Sequence, residues 1–447
     1  MTQDRYKKLN SIILLSVIIL LVIYVFLRAY NLPFSHDESI SYKIITGDKK
    51  FAQTANNHFM NTWLMYLSYH LFGAKEIFLR LPNVLAFILY SIFTYKLLIK
   101  INNMFLMLLG ASFLLLNPYL LDYFSLARGY GLSLGFGLAS LFFLLRQNSL
   151  NIYKDYIKAF SLSLLFSLFS SYSNFVFINL NIALIIVYLI ELYFLVENKT
   201  IQLTKKKIGA ILLILGLNFI FISIIIGQLL FLKNNNQLYF GDNKGFIDST
   251  LTILIHRSIY FSYYGEYFWI GIRQIIIAVY FIAIIYQLCC KVCSPLTRIT
   301  LLLSLMIFGS ILQHYIFDTL YLVERTSLVF IPLFGFFIYY LFLDVYSKLV
   351  KNKIVKISFN LFILLVLCLP IGWHLINNLN LKYFKDWKYD AHDKDIMKII
   401  DENHKNCVHK AEKITISNTW LFEPSIYYYR DLFSMDYINV PNRRTID

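Results

Sequence analysis

Charged side chains are scarce in this chain: Asp, Glu, Lys and Arg together make up 15% of its 447 residues. Ordinary soluble domains carry about 25% charged and about 45 to 50% apolar residues. A chain that is 58% hydrophobic falls outside that class and reads as a polytopic membrane protein. Cysteine is also sparse. Cys289, Cys290 and Cys293 close one apolar run, Cys368 lies inside another and Cys407 stands near the C-terminus, which makes no disulfide framework. Internal repeats of fixed period, Gly/Ser linkers and low-complexity tracts are missing too, which weighs against a two-fold transporter architecture.

What the chain has in abundance is long apolar runs. Scanning for stretches of about 17 to 25 residues finds 12–27, 77–98, 105–121, 132–145, 157–173, 175–196, 208–232, 268–288, 299–317, 326–342 and 357–373. This predicts an all-α polytopic protein with about eleven transmembrane helices. A cleaved signal peptide is the competing reading of the first run. That run exceeds the usual ~7 to 15 residue apolar core, and Arg28-Ala29-Tyr30 is no small-residue cleavage site, so it reads as a retained span.

Basic residues test the order of the spans, because short cytoplasmic loops hold the excess of Lys and Arg. With the N-terminus inside, alternate loops contain Lys96 and Lys100; Arg146, Lys154 and Lys158; Lys199 and Lys205 to Lys207; Lys291 and Arg298; and Lys348, Lys351, Lys353 and Lys356. The net charge of +15 is thereby explained by one membrane face beside anionic headgroups, with no nucleic-acid partner. An odd number of crossings puts the C-terminal segment outside, so two units are expected. Residues 1–373 form the transmembrane unit, with a first outer loop at 28–76, and 374–447 form a small α/β extracytoplasmic cap. Within the cap, 393–403 reads as a helix, 413–417 as a short strand, and Glu423-Pro424 as the start of another helix.

On this topology the polar candidates gather on the outer face. His36, Asp37 and Glu38 follow the first span, and Asn56, Asn57 and His58 share its outer loop. Asp122 and Arg128 fall in the second outer loop, and Asp318, Glu324 and Arg325 in the fifth. Met60, Trp63, Leu64, Leu67 and Leu71 recur at three- and four-residue steps, predicting an amphipathic surface helix over 60–72 that holds His58 beside the first loop. An ion-coupled transporter would instead place its ionisable groups near the bilayer midplane.

Asp37-Glu38 after the first span, Asn57-His58 opening a surface helix, and Leu71-Phe72-Gly73 followed by Arg80-Leu81-Pro82 resemble the GT-C superfamily of membrane glycosyltransferases. The resemblance is greatest to its protein O-mannosyltransferase-like and lipid A aminoarabinose transferase-like branch. Weaker matches are Ala127-Arg128-Gly129-Tyr130, Glu324-Arg325 before Pro332, and Trp420 to Pro424 with Tyr429-Arg430. Two departures stand out: members often carry Pro in the motif that here reads His58-Phe59-Met60, and Arg-Pro-Tyr where this chain has Arg128-Gly129-Tyr130.

The resemblance implies an inverting glycosyltransferase at the outer face of the plasma membrane. It would move a sugar from a polyprenyl-phosphate donor to a glycan, lipid or protein of the cell envelope. Such a reaction needs a base for the acceptor hydroxyl and cationic stabilisation of the departing phosphate. By its match to the family's first-loop aspartate, Asp37 is expected to be the base. Glu38 is its catalytic neighbour, able to hold a divalent cation, to orient Asp37 or to pair with Arg80. Arg128 and Arg325 are the expected phosphate ligands, because guanidinium forks match phosphate oxygens, and membrane-edge anchoring is the competing role. His58, Asn57 and Tyr130 complete the expected substrate site. Glu38 and His58 are the candidate ligands for Mg²⁺ or Mn²⁺, since one His with one or two carboxylates falls short of a zinc set. Tyr260, Tyr263, Tyr264 and Tyr267 beside Trp269 read either as a sugar or lipid groove or as an interfacial aromatic belt. The other functional classes to separate are a transporter or flippase of lipid-linked glycans and an O-antigen-type polymerase or ligase.

Overall fold

The computed structural model describes residues 3–146, 152–260, 264–289, 294–349, 351–407 and 413–439. Tyr263, Cys290, Lys291 and Cys293 lie outside the described residues.

The chain begins with α1 (Gln3–Asn31), α2 (His36–Ile45), the single turn α3 (Lys49–Ala52), α4 (Phe59–Phe72) and α5 (Glu76–Leu98). It continues through α6 (Met104–Leu115), α7 (Pro118–Phe124), α8 (Gly129–Leu145), α9 (Ile152–Ser173) and α10 (Ile178–Glu197). Then come α11 (Lys205–Asn234), α12 (Ile253–Ser258), α13 (Glu266–Cys289), α14 (Pro295–Phe317) and α15 (Phe330–Leu349). The last four are α16 (Lys353–Phe362), α17 (Leu369–Asn378), α18 (Asp393–Asn406) and α19 (Glu423–Leu432).

All eleven apolar runs coil into helices. Among the described residues, eight helices are long and apolar enough to cross a membrane, and the bent pair α6 and α7 makes up to nine. The pair breaks by 57° at Asn117-Pro118. Asn117 caps the new helix through Leu120, and proline takes its first turn, where no amide hydrogen is missed. The apolar α8 is shorter, at 17 residues. α9 is interrupted by serines that face protein rather than lipid. Ser170 Oγ donates to the Ser133 carbonyl, Ser133 Oγ donates back to that of Ser170, and Ser163 Oγ donates to Ser140, which locks α9 to α8. Small polar residues at a helix interface allow this close approach in a membrane.

α4 has its polar side inward. Asn61, Met65 and Ser68 are buried, while Trp63, Leu67 and Leu71 are exposed. Asn61 Nδ2 donates to Ala127 O at 2.9 Å and its Oδ1 accepts from Asn83 Nδ2 at 2.8 Å, so polar bonds hold α4 on the bundle and leave an apolar stripe outside. This is the arrangement of a helix lying along a membrane interface.

The C-terminal segment docks onto the same end of the bundle. Met397, Tyr428, Tyr429, Met435 and Ile438 form one cluster with Phe34, Tyr42, Met65, Leu79 and Ala127. Both buried tyrosines satisfy their hydroxyls: Tyr428 donates to Ala74 O at 2.7 Å, and Tyr429 accepts from Phe34 N at 2.7 Å. Where a strand was expected at 413–417, the described residues show Ile414 in an isolated parallel bridge to Ile438.

Candidate active site

The first link is a turn. Ser35 caps α2, with its hydroxyl accepting from Glu38 N while the Glu38 carboxylate accepts from Ser35 N at 2.9 Å. This reciprocal cap starts a helix directly after Pro33 and fixes the direction of Asp37.

Glu38 then does more than cap. Its side chain is fully buried against an equally buried Arg80. Oε1 accepts from Arg80 Nε at 2.7 Å and from Ala127 N at 2.6 Å, and Oε2 accepts from Arg80 Nη2 at 2.7 Å as well as from Ser35 N. Arg80 also donates to the carbonyls of Ala29, Leu32 and Pro33. One carboxylate thus ties α2, the end of α1, α5 and the chain entering α8 together. Glu38, expected beside Asp37 on the reacting atoms or at a metal, is placed instead in this tie, facing away from Arg128 and Arg325. Each oxygen already accepts two hydrogen bonds from groups it would have to release. Among the described residues no group of three His, Cys, Asp or Glu side chains is placed to hold an ion, and His58 alone supplies a single donor.

Asp37 points the other way, into a cage of guanidinium groups. Arg325 Nη1 lies 3.2 Å and Arg128 Nη2 3.6 Å from its Oδ2, and Asn56 Nδ2 donates to Oδ1 at 3.4 Å. Oδ2 is buried and has no well-aligned hydrogen bond, so it meets both arginines as charges. Burial alone would raise the carboxyl pKa; Arg325 first and Arg128 second outweigh it and hold Asp37 well below the usual carboxylate range. Asp37 is thus ionised at neutral pH.

The two arginines are held differently. Arg128 is 1% exposed and donates to the carbonyls of Asp37 and Asn56 and to Asn56 Oδ1. Arg325 is partly exposed and lies over the rings of Phe240 and Trp387, 4.8 and 5.6 Å from their centroids. Glu324, just before it, has a left-handed backbone with φ of 49°. Arg257 donates to Glu324 and, at 2.5 Å, to Asp386 Oδ1, whose Oδ2 accepts from Tyr123 at 2.8 Å. This relay fixes the turn that aims Arg325.

His58 N-caps α4 and has a buried Nε2 with no hydrogen-bond partner. Burial, then Arg128, push its pKa well below the ordinary histidine value, so it is neutral. Its ring meets Tyr130 edge-on at 5.1 Å, and Tyr130 meets Tyr123 at the same distance. Gly129 makes the packing possible, because a Cβ there would run into Ser173 O and lie 2.8 Å from His58 Cβ.

Of the residues read from sequence, Asp37, His58, Arg128, Tyr130 and Arg325 converge. Asn57 does not: its amide donates to Ala52 O and accepts from Thr62, which shapes the loop, and its neighbour Asn56 makes the contacts to Asp37 and Arg128. Sequence reasoning missed Arg257 and Asp386. A charge set between the apolar pair Leu254-Ile255 and Tyr260 was the available signal, since such charges near a membrane require partners.

No family model and no curated protein matches the chain. Two solved structures do resemble it. ArnT from Cupriavidus metallidurans bound to undecaprenyl phosphate aligns at a TM-score of 0.55 and 11% identity, over 93% of this chain and 84% of that one. The apo state of the same protein aligns at 0.54 and 10%, with the same coverage. The chain therefore has the polytopic helical fold seen in ArnT.

Proposed function

We propose that this protein is an inverting glycosyltransferase that moves a sugar from a polyprenyl-phosphate donor to a cell-envelope glycan, lipid or protein at the outer face of the plasma membrane. The observation that carries the reading is the buried Asp37 carboxylate between Arg128 and Arg325, at one end of a bundle with the fold of a protein that binds undecaprenyl phosphate.

The chemistry follows from charge. The donor phosphate offers both guanidinium groups charged oxygens, and forked Arg–phosphate bonds are stronger than the ion pairs at 3.2 and 3.6 Å that they replace. When the arginines turn to phosphate, Asp37 loses the partners that depress its pKa and becomes a better base. It then takes the proton from the acceptor hydroxyl as the oxygen attacks the anomeric carbon, and the phosphate leaves with its charge on Arg128 and Arg325. Base strength is in this way coupled to donor occupancy.

The test offers purified protein a panel of polyprenyl-phosphate sugars with envelope extracts, with and without EDTA. Sugar transfer by wild type and a loss of about 10² to 10⁴ in rate for Asp37→Asn are expected, the usual contribution of a positioned base. Movement of a lipid-linked glycan across the membrane without a covalent product would identify a transporter instead, and use of diphosphate-linked oligosaccharides alone would identify a polymerase or ligase.

A further inference from the structure

A cavity of 510 Å³ opens beside the Arg257 relay, lined by Thr252, His256, Tyr264, Glu266, Trp269 and Arg273. Its volume falls within the about 300 to 1,000 Å³ of small-molecule sites. It stands at the first turns of α13, a helix apolar and long enough to span a membrane, and so at the end of the bundle that carries Asp37. The short α12 joins the two places. Arg257 reaches Glu324 and Asp386 beside Arg325, while the preceding His256 walls the cavity.

The lining is held in place before any ligand arrives. Trp269 Nε1 donates to Tyr264 O at 3.0 Å, and the His256 ring stacks on the indole at a centroid distance of 4.0 Å and an interplanar angle of 17°. Arg273 is fixed by Asp248 at 2.9 Å and by Thr252 Oγ1 at 3.3 Å. The lining charges are Glu266 and Arg273, the latter already paired with Asp248, and burial lowers the pKa of His256 so that its ring is neutral. With its guanidinium already paired and a carboxylate in the wall, the cavity disfavours a phosphate or carboxylate. Fixed aromatic rings suit the C–H face of a sugar ring. Carboxylate, guanidinium, hydroxyl and imidazole groups together offer hydroxyls both donors and acceptors.

We propose that this cavity binds a neutral saccharide and serves as the acceptor subsite; the acceptor role, though not the binding, rests on the glycosyltransferase reading above. The test uses full-length protein in sugar-free phospholipid nanodiscs, with maltose, chitobiose and N-acetylglucosamine as probes in saturation-transfer NMR and inorganic phosphate as competitor. At least one saccharide should bind saturably. Binding should weaken at least about tenfold in Trp269→Ala and in Glu266→Gln, the latter on an exposed side chain that does not threaten folding. It should be unchanged in Asp37→Asn and undisturbed by phosphate. The proposal is overturned if none of the three binds, if both cavity variants bind like wild type, or if phosphate displaces the sugar. Saccharide binding by a protein that transfers no sugar would keep the site and remove the glycosyltransferase reading instead.

Discussion

Arg325 reaches to 3.2 Å of the Asp37 carboxylate from a turn whose preceding residue, Glu324, is left-handed and tied to Arg257. A non-glycine residue in that backbone region is strained, and the ion pair holds it there. Arg325→Ala should therefore raise the donor KM. One charge-assisted hydrogen bond is worth about 1.5 to 3 kcal/mol, or roughly 10- to 100-fold. Arg325→Lys keeps the charge without the fork and should recover only part of this. An unchanged KM for the polyprenyl-phosphate sugar would remove Arg325 from the donor site.

Arg257 acts through that turn. Arg257→Gln should raise the donor KM in the same direction as Arg325→Ala, and the double variant should be little worse than the single ones, because both changes release one coupled contact. Additive losses, measured as KM in a double-mutant cycle, would separate the two residues.

Adjacent carboxylates should behave oppositely. Glu38→Gln breaks a fully buried pair with Arg80 and puts an NH2 where one oxygen accepted two hydrogen bonds, a class of change that costs about 3 to 5 kcal/mol. Asp37→Asn removes longer ion pairs, one of them to the partly exposed Arg325, so it should cost less stability than Glu38→Gln while silencing transfer. Melting curves in detergent, set beside rates, distinguish them; a Glu38→Gln protein as stable as wild type would contradict the structural role.

Gly129 occupies the place where the resembling family often carries proline. A Cβ there collides with Ser173 O and His58, so Gly129→Pro should destabilise the protein by at least about 1 to 3 kcal/mol, the usual cost of overpacking. The check is again a melting curve, and full stability of the variant would show that α8 and α9 can part.

Asp390 gives the docked segment a pH dependence. Its Oδ2 accepts from His36 N at 2.7 Å, but burial first, and then the nearby Asp393, Asp37 and Glu38, push its pKa from 3.8 up to about 8. A carboxyl raised in the folded state contributes full stability below 3.8, loses it progressively as pH rises toward about 8, and changes no further above that. Hydrogen exchange over 385–406 should accordingly quicken between pH 5 and 8, and Asp390→Asn should flatten the trend. A protection profile independent of pH in the wild type would refute it.

Sequence alone determined the membrane class, the helical nature of each apolar run and the nearness of Asp37 to a surface helix, because composition and periodicity act locally and survive without knowledge of neighbours. It also put Arg128 and Arg325 on the same membrane face as Asp37, through topology and family likeness. Tertiary structure decided the division of labour. Asp37 and Glu38 are chemically alike and adjacent, and only the placement of Arg80 and the Ala127 amide against one, and of Arg128 and Arg325 against the other, makes Glu38 a tie and Asp37 the anionic centre of the cage. The same holds for Asn56 over Asn57, where one step along the chain turns the amide from the loop toward the site. The ties of the α9 serines to α8 were likewise decided in three dimensions, by a partner that no local reading of the run reveals.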